Sequence, residues 1–336
     1  MSAGVQAGAQ QRQRDARAWK LTAVFTLAAA GVFLGLRRLP LASGSLHYTD
    51  FHAGGKTFLE FCEPGSPQFV PVDRVRSPVT LSIAPKGHPV AGERMRATLQ
   101  LLAASGEPVT ADDLLVVHTQ KLHLLLVDPS LDDYHHVHPV ATGEPGEFRF
   151  EFIPRAAGVY RVFGDFTPRA TGRALYAGAS IEVLPADPGG TTSPAAAGSA
   201  AGGNEDDTEV VPPGIVERRI WSEIEKDGHV FSLNASKTPL RINETSELTL
   251  RVSRRDGGAV ELEQVMDAKA HLVAFDAQRS GFAHLHPKES SSTRSSGGEE
   301  LGFTLNLADP GYYRLWAQVK LEGREIYAPF GLTVEP

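Results

Sequence analysis

The sequence has one cysteine, Cys62, in 336 residues. One thiol cannot form a disulfide within the chain, and it cannot supply a CxxC zinc or thioredoxin-like motif. A type 1 copper site also needs a cysteine beside its histidines, so electron transfer of that kind is disfavoured. Cys62 is left as an ordinary thiol or as a group that pairs between chains.

The chain also lacks a net positive charge and the common catalytic motifs. Its formal net charge is -7, which gives no basic surface suited to nucleic acid, so we expect no nucleic-acid partner. No Ser-His-Asp order, glycine-rich phosphate loop or paired-carboxylate motif stands out. The composition, 41% hydrophobic and 22% charged, is sufficient for two cores of ordinary domain size.

Long apolar runs are absent except near the N-terminus, where residues 21–36 follow a basic segment ending at Lys20. These residues span roughly 24 Å as a helix, short for a bilayer core unless the flanking side chains reach outward. We predict a cytoplasmic basic tail over 1–20 and a transmembrane anchor or signal over 21–38. Arg37 and Arg38 favour the uncleaved anchor. A single-pass protein of the inner membrane, with its C-terminal part periplasmic, is therefore expected.

Beyond residue 40, helical patterns give way to short alternating segments separated by Gly, Pro and Asp. This rhythm predicts an all-β fold with two tandem antiparallel sandwiches, immunoglobulin-like or cupredoxin-like, after one N-terminal membrane helix. The apolar segment Leu122–Val127 has no polar face and should lie in the middle of a sheet.

The predicted organisation has a flexible linker between the two sandwiches, because one stretch is rich in Ala, Gly, Ser and Pro. Such a linker predicts that the sandwiches unfold independently. The expected boundaries are 39–78 for a juxtamembrane segment, 79–185 for the first sandwich, 186–227 for the linker and 228–336 for the second sandwich.

A histidine-centred pattern occurs twice. Lys121-x-His123-Leu124-x-x-x-Asp128, followed by His136-x-His138-Pro139, reappears 148 residues later as Lys269-x-His271-Leu272-x-x-x-Asp276 and His284-x-His286-Pro287. Gly158-x-Tyr160-Arg161 reappears as Gly311-x-Tyr313-Arg314, a pattern similar to a tyrosine corner. A repeat of this length indicates a duplicated domain rather than a solenoid.

The histidine pairs suit a metal ion, because alternating residues of a strand point to the same side. His136 and His138 could therefore bind one ion and His284 and His286 another, with third ligands from His123 and His271. A packing corner in which these imidazoles bind backbone groups is the alternative interpretation. Imidazole alone does not identify the metal.

Copper is the first choice and zinc the second, because His118 in the first repeat aligns with Met266 in the second. A thioether favours Cu(I), although methionine is more often a core residue. The first repeat adds His135, where the second has Ala283. The candidate metal ligands are His118, His123, His135, His136, His138, Met266, His271, His284 and His286.

Two carboxylates follow the central histidines at equal spacing. Asp128 and Asp276 could orient a liganding imidazole, or they could accept backbone hydrogen bonds in the turn after the strand. The sequence leaves both roles open.

The motifs together resemble a group of exported bacterial β-sandwich domains that are distantly similar to YtkA-like and FixH-like cupredoxin-like modules. The resemblance rests on His-Leu, the following Asp, His-x-His-Pro and the Gly-x-Tyr-Arg strand, and it covers both repeats. It implies a β-sandwich fold and the handling of copper or other heavy metals.

Three classes of function follow from these patterns. The first is a membrane-tethered extracytoplasmic protein that binds metal, with copper first, for buffering, delivery or resistance. Its partners would be the membrane and a metal-transport or envelope protein. The second is a non-metal immunoglobulin-like interaction module, and the third a cupin-like metalloenzyme. Glu144 and Glu289 follow their histidine pairs at unequal distances, which disfavours the enzyme.

Overall fold

The computed structural model describes residues 3–38, 46–51, 69–186, 218–288, 292–295 and 297–336. Cys62 and most of the predicted linker lie outside these described residues. The chain divides into two compact units, Met1–Ser43 and Gly44–Pro336. Both predicted sandwiches belong to the second unit.

The first unit contains one helix, α1, over Ala3–Leu36. Its part Ala16–Leu36 has a mean hydropathy of 1.6 in its most apolar stretch, and none of that stretch is buried. By length and composition this helix could cross a membrane. The segment predicted at 21–38 is thus helical to Leu36, where apolar residues give way to Arg37 and Arg38.

The first sandwich consists of two four-stranded sheets. One has the order β1-β2-β6-β5 and the other β4-β3-β7-β8. The strands are β1 Val79–Pro85, β2 Met95–Ala103, β3 His123–Val127, β4 Tyr134–Val137, β5 Val140–Ala141, β6 Glu147–Phe152, β7 Gly158–Phe166 and β8 Leu175–Val183.

The second sandwich consists of two five-stranded sheets, in the orders β15-β16-β12-β10-β9 and β11-β18-β17-β13-β14. The strands are β9 Glu223–Lys226, β10 His229–Ala235, β11 Leu240–Arg241, β12 Ser246–Arg254, β13 Ala270–Asp276, β14 Phe282–Leu285, β15 Thr293–Ser295, β16 Gly298–Leu305, β17 Gly311–Leu321 and β18 Arg324–Glu335. The expectation of tandem antiparallel sandwiches is confirmed, although β9 lies within the segment 186–227 that was predicted as linker.

The repeat in sequence is a repeat in topology. The order β4-β3-β7-β8 of the first sandwich reappears as β14-β13-β17-β18 in the second. At the start of β17, the buried Tyr313 hydroxyl donates to the carbonyl of Asp309 at 2.8 Å, as in a tyrosine corner. The Tyr160 hydroxyl of β7 donates instead to the Asp133 carboxylate at 2.5 Å.

Strand β3 is buried at every position, and apart from His123 its residues are apolar on both faces. It lies between β4 and β7, so the prediction of a mid-sheet position for this segment is confirmed. Leu124 and Leu126 pack in the core of the first sandwich, whereas Leu125 and Val127 belong to another cluster.

That other cluster joins the two sandwiches, and we call it the inter-sandwich core. It is formed by Val70, Val72, Leu125, Val127, Leu131, Tyr134, Phe163, Val273, Phe275, Phe282, Tyr312 and Trp316. Trp316 Nε1 also donates to the carbonyl of Leu131 at 3.2 Å, across the boundary. Independent unfolding was expected from the sequence. The shared core instead favours a single unfolding transition for both sandwiches. Neither sandwich can unfold without exposing the apolar residues of this core to water.

The segment before β1 also connects the sandwiches. Leu46 and Phe51 are buried in the first core, while Phe69 is buried in the second and packs edge-on against Tyr313. Val70 forms a bridge with Phe282 of β14. The described parts of the predicted juxtamembrane segment therefore belong to the folded unit.

Candidate metal centre

Strand register brings the histidines of the first repeat to one face. His123 of β3 pairs with Asp165 of β7, and His136 of β4 pairs with Leu125 of β3. Residues paired across neighbouring strands project to the same side, and so do alternating residues along one strand. This face is the one that carries Leu125, so it looks toward the second sandwich.

The second repeat has the same register. His271 of β13 pairs with Gln318 of β17, and His284 of β14 pairs with Val273 of β13. Val273 belongs to the inter-sandwich core, so these histidines face the first sandwich. The two histidine groups consequently meet at the boundary.

Each group is a triad whose nitrogen atoms converge. The first triad is His123, His136 and His138, and the second triad is His271, His284 and His286. In each triad, one ring nitrogen from every residue lies within 4.8 Å of the others. Three imidazole nitrogens at such distances are a suitable ligand set for a transition metal.

Hydrogen bonds fix the tautomers of the first triad. His123 Nε2 lies 3.0 Å from the carbonyl oxygen of Val117, which can only accept, so Nε2 carries the proton. His136 Nδ1 lies 2.9 Å from Gln318 Oε1 and is likewise the donor. The Gln318 amide nitrogen is used elsewhere, because it donates to Glu325 and Tyr327.

The second triad has matching hydrogen bonds. His271 Nε2 donates to the carbonyl of Val265 at 2.9 Å, and His284 Nδ1 lies 3.4 Å from Asp165 Oδ2. Asp165 and Gln318 occupy corresponding places in β7 and β17. Each triad is therefore oriented by a side chain of the opposite sandwich.

These tautomers leave unprotonated nitrogens facing one another. His123 Nδ1 and His136 Nε2 are 3.2 Å apart, and His271 Nδ1 and His284 Nε2 are 3.1 Å apart. Neither member of a pair has a proton to donate when the imidazoles are neutral. Two lone pairs at this distance repel unless a proton or a cation lies between them.

The third member of each triad adds an unsatisfied nitrogen. His138 Nε2 and His286 Nε2 are buried and have no hydrogen-bond partner in the described part of the chain. Buried polar atoms without a partner are rare and costly, and a bound ion can satisfy them. In the tautomers that leave these two nitrogens unprotonated, each triad offers three lone pairs.

Burial keeps these imidazoles neutral. Desolvation lowers the pKa of His138 and of His271 to about 4, and neighbouring imidazoles contribute to both shifts. The pKa values of His136, His284 and His286 are also lowered, first by burial and then by the adjacent histidines. A metal ion therefore meets little competition from protons at neutral pH.

A carboxylate lies among the imidazoles. Burial raises the pKa of Asp165 to about 6, while His123 and His118 act in the opposite direction. Its carboxylate can accept a hydrogen bond from His284 Nδ1. A carboxylate in this position would raise the basicity of a liganding imidazole.

His118 stacks on the second triad and also lies beside its own, with its ring centroid 6.4 Å from that of His123. Its ring stacks on His286 with centroids 3.9 Å apart, and it lies 6.1 Å from the ring of His271. Burial lowers the pKa of His118 as well. The sequence had assigned this residue to the first group.

Met266 occupies the same kind of turn as His118. The two residues have φ values of 49° and 48°, and the flanking backbone hydrogen bonds, Val265–Ala268 and Val117–Gln120, correspond. Met266 is half-buried. Its role as a ligand stays a prediction.

His135 does not join the triads. Strand alternation directs it away from His136 and His138, and its Nε2 lies 2.9 Å from the Asp133 carboxylate while its ring packs against Phe152. The inclusion of His135 among the ligands is thus corrected by the geometry. Adjacent residues of a strand project to opposite faces.

Asp128 and Asp276 build turns. Asp128 accepts hydrogen bonds from Ser130 and from the backbone of Asp133, and Asp276 accepts two from Ser280. This is the second of the two roles that the sequence allowed. The residues that orient the imidazoles are instead Asp165 and Gln318, which the sequence patterns did not single out.

A signal for these two residues was present in the sequence. Asp165 and Gln318 follow Phe163 and Trp316 by two positions, on the strands that begin with the repeated glycine and tyrosine. Their alternation with those aromatic residues puts them on the inter-sandwich face. Because one repeat has an aspartate at this position and the other a glutamine, comparison of the repeats did not show that the two positions correspond.

The comparisons with known proteins support the duplication. A family model described as a domain of unknown function, DUF8832, matches residues 74–183 and again 222–336. No curated protein matches the chain significantly.

Several solved structures show a distant likeness. The Escherichia coli adhesin FdeC has 16% identity and a TM-score of 0.22, with 80% of this chain and 66% of that chain covered. Activated Escherichia coli alpha-2-macroglobulin has 12% identity and a TM-score of 0.23, with 77% and 22% covered. The D00-D0 domain of intimin has 12% identity and a TM-score of 0.19, with 76% and 100% covered. The chain thus spans less than two thirds of the first two.

Proposed function

This chain belongs to the DUF8832 family, whose domain it contains twice. From the geometry of its histidines we propose that it binds transition-metal ions at the two histidine triads. The observation that carries the proposal is the pair of facing lone pairs in each triad, at 3.2 and 3.1 Å. A cation removes both repulsions and also satisfies the buried nitrogens of His138 and His286.

The distances suit an ion. A metal about 2.0–2.1 Å from each imidazole nitrogen separates two such nitrogens by about 3.3 Å in a tetrahedral site. The pairs in the two triads are close to that value. These two nitrogens of each triad then need little rearrangement, and the third lies within 4.8 Å of them. The match makes the packing-corner alternative less suitable.

Copper is the metal we propose first, with zinc as the second choice. Both ions accept three neutral imidazoles. The exchange between His118 and Met266 favours copper, because a thioether is a good ligand for Cu(I) and a poor one for zinc. Metal buffering, delivery or resistance would be the corresponding role.

The proposed setting is the outer side of a cell membrane. The apolar helix Ala16–Leu36 would act as a single-pass anchor in the inner membrane, with the sandwiches in the periplasm. A metal-transport or envelope protein would then be the partner. Such a position suits the capture of ions before they enter the cytoplasm.

Metal analysis of the full-length chain in detergent tests the function. After loading with copper or zinc in parallel and removal of excess ions, we expect two ions per chain. His136→Ala/His138→Ala and His284→Ala/His286→Ala should each retain one, because each disables one triad. Combining all four substitutions should abolish binding.

The matched control is His47→Ala/His88→Ala, which removes two exposed histidines and should still bind two ions. Circular dichroism establishes that each variant is folded. A folded wild-type chain that retains neither metal would contradict the proposal and favour a non-metal interaction module.

The topology can be tested separately. A reporter that is active only outside the cytoplasm, fused after Pro336, should be active because the basic residues before the apolar run favour a cytoplasmic N-terminus. A second fusion with a reporter active only in the cytoplasm should be silent. The reverse pattern would overturn the orientation.

A further inference from the structure

The closest rings of the two triads are no farther apart than the most separated rings within one triad. The ring centroids of His136 and His284, from different triads, are 5.4 Å apart. Within a triad, the His123–His136 and His271–His284 distances are 5.4 and 5.3 Å. The imidazoles therefore form one continuous cluster.

The cluster has an approximate two-fold arrangement. The His123–His284 distance is 6.0 Å, and the corresponding His136–His271 distance is also 6.0 Å. Equal distances of this kind arise when two copies of a module face each other symmetrically. Two ions held by such triads would be neighbours across the boundary between the sandwiches.

From this arrangement we infer that the triads constitute a single dinuclear metal site, made asymmetric by Asp165. This inference rests on the proposed metal binding. It adds that the ions interact and that they are bound with unequal affinity. Two-metal sites in proteins hold their ions about 3.5–4 Å apart, close enough for a shared small anion.

The asymmetry follows from the two orienting side chains. His284 of the second triad faces the Asp165 carboxylate, while His136 of the first triad faces the uncharged amide of Gln318. A carboxylate partner makes the imidazole a stronger ligand and offsets part of the ion's charge. The second triad should therefore fill first.

The enclosure strengthens these electrostatic effects. His271 is fully buried and His136 nearly so, and His118 covers the second triad by stacking on His286. Charges interact more strongly in such an environment than in water. The first ion should therefore weaken the binding of the second, unless a small anion such as hydroxide bridges them.

Electron paramagnetic resonance of the full-length chain in detergent tests the inference, with Cu(II) sulfate as the probe and bound copper counted in parallel. One equivalent should give one spin per chain. At two bound copper ions, the integrated spin count should fall well below two, because neighbouring Cu(II) ions couple. Release of copper by acid should restore a count of two.

The triad variants supply the reference. His136→Ala/His138→Ala and His284→Ala/His286→Ala should each bind one copper with one full spin. Two bound ions with two independent spins in the wild type would overturn the dinuclear site while leaving metal binding intact. A spin count that stays below two after acid release indicates that Cu(II) was reduced and that the two ions were not coupled. That result would contradict the inference. Absence of bound copper would refute the proposed function itself.

Asp165→Asn tests the asymmetry. In the chain that keeps only the second triad, this substitution should weaken Cu(II) binding by about tenfold, the lower end of the range for such outer partners. In the chain that keeps only the first triad, the loss should be smaller, because Asp165 acts on His123 through its charge and accepts its hydrogen bond from His284 of the second triad. Equal losses in both backgrounds would contradict the asymmetry.

Discussion

Replacing Phe275 by alanine should lower the free energy of unfolding by about 3–5 kcal/mol. Phe275 is fully buried in the inter-sandwich core. Its ring centroid lies 5.5 Å from that of Tyr134 and 6.1 Å from that of Phe163, both in the first sandwich. The substitution removes apolar contacts and leaves a cavity at the boundary, so both sandwiches should lose stability together.

Urea unfolding of the metal-free chain, combined with amide hydrogen exchange, measures this effect. Protection should fall in parallel in β2 of the first sandwich and β12 of the second. The control is Val140→Ala, at an exposed position of β5, which should change the free energy by less than about 0.5 kcal/mol. If β12 alone lost protection, the sandwiches would be independent, as the linker had suggested.

The fold was predictable because its determinants are local. Strand alternation, turn residues and the repeated glycine and tyrosine each act over a few residues, so they indicate two sandwiches without knowledge of long-range contacts. The triads followed from the same logic. His136 and His138 share a face by alternation, and His123 was the polar residue on the neighbouring apolar strand.

The relation between the sandwiches was not predictable from those patterns. The linker composition indicated separate domains, although Leu122–Val127 was apolar on both faces. One face of that strand was sufficient to pack in the core of the first sandwich. The opposite apolar face therefore had to be buried by another part of the molecule. That part is the second sandwich, and this surplus of apolar residues was the signal for association.

The orienting side chains were missed for a related reason. Asp165 and Gln318 act on histidines of the opposite sandwich, at 3.4 and 2.9 Å. A contact of this kind depends on how two sheets face each other, and no spacing within one repeat encodes it. His118 shows the same limit, because its ring contacts the second triad although it belongs to the first repeat.

Acid should destabilise the metal-free chain strongly between about pH 6.5 and pH 4. Histidines in an unfolded chain take up protons near pH 6.5. In the folded chain, burial lowers the pKa of His138 and His271 to about 4, and it lowers the pKa of their neighbours too. The unfolded state therefore binds more protons across this interval, and stability is lost as the pH falls.

Two carboxyl groups, Asp165 and Asp276, act in the opposite direction, because burial raises the pKa of both. The pKa of Asp165 is raised by burial to about 6, so between pH 6 and about 4 the folded state holds a proton that the unfolded state releases. This contribution stabilises the folded chain as the pH falls. Since these two carboxyl groups oppose a larger number of imidazoles, the net effect remains a loss of stability. Each pKa unit corresponds to about 1.4 kcal/mol, so the total should reach several kcal/mol.

The measurement is urea unfolding with a chelator present, at intervals from pH 7.5 to pH 4. His138→Gln/His271→Gln removes two of the titrating groups, so the free energy of unfolding should depend less steeply on pH than in the wild type. His47→Gln/His88→Gln, at exposed positions, should keep the wild-type slope. A slope that is the same in all three proteins would mean that the histidine cluster takes up protons as readily when folded as when unfolded. The imidazoles would then be hydrated, and protons would compete with metal ions for the triads near pH 6.5.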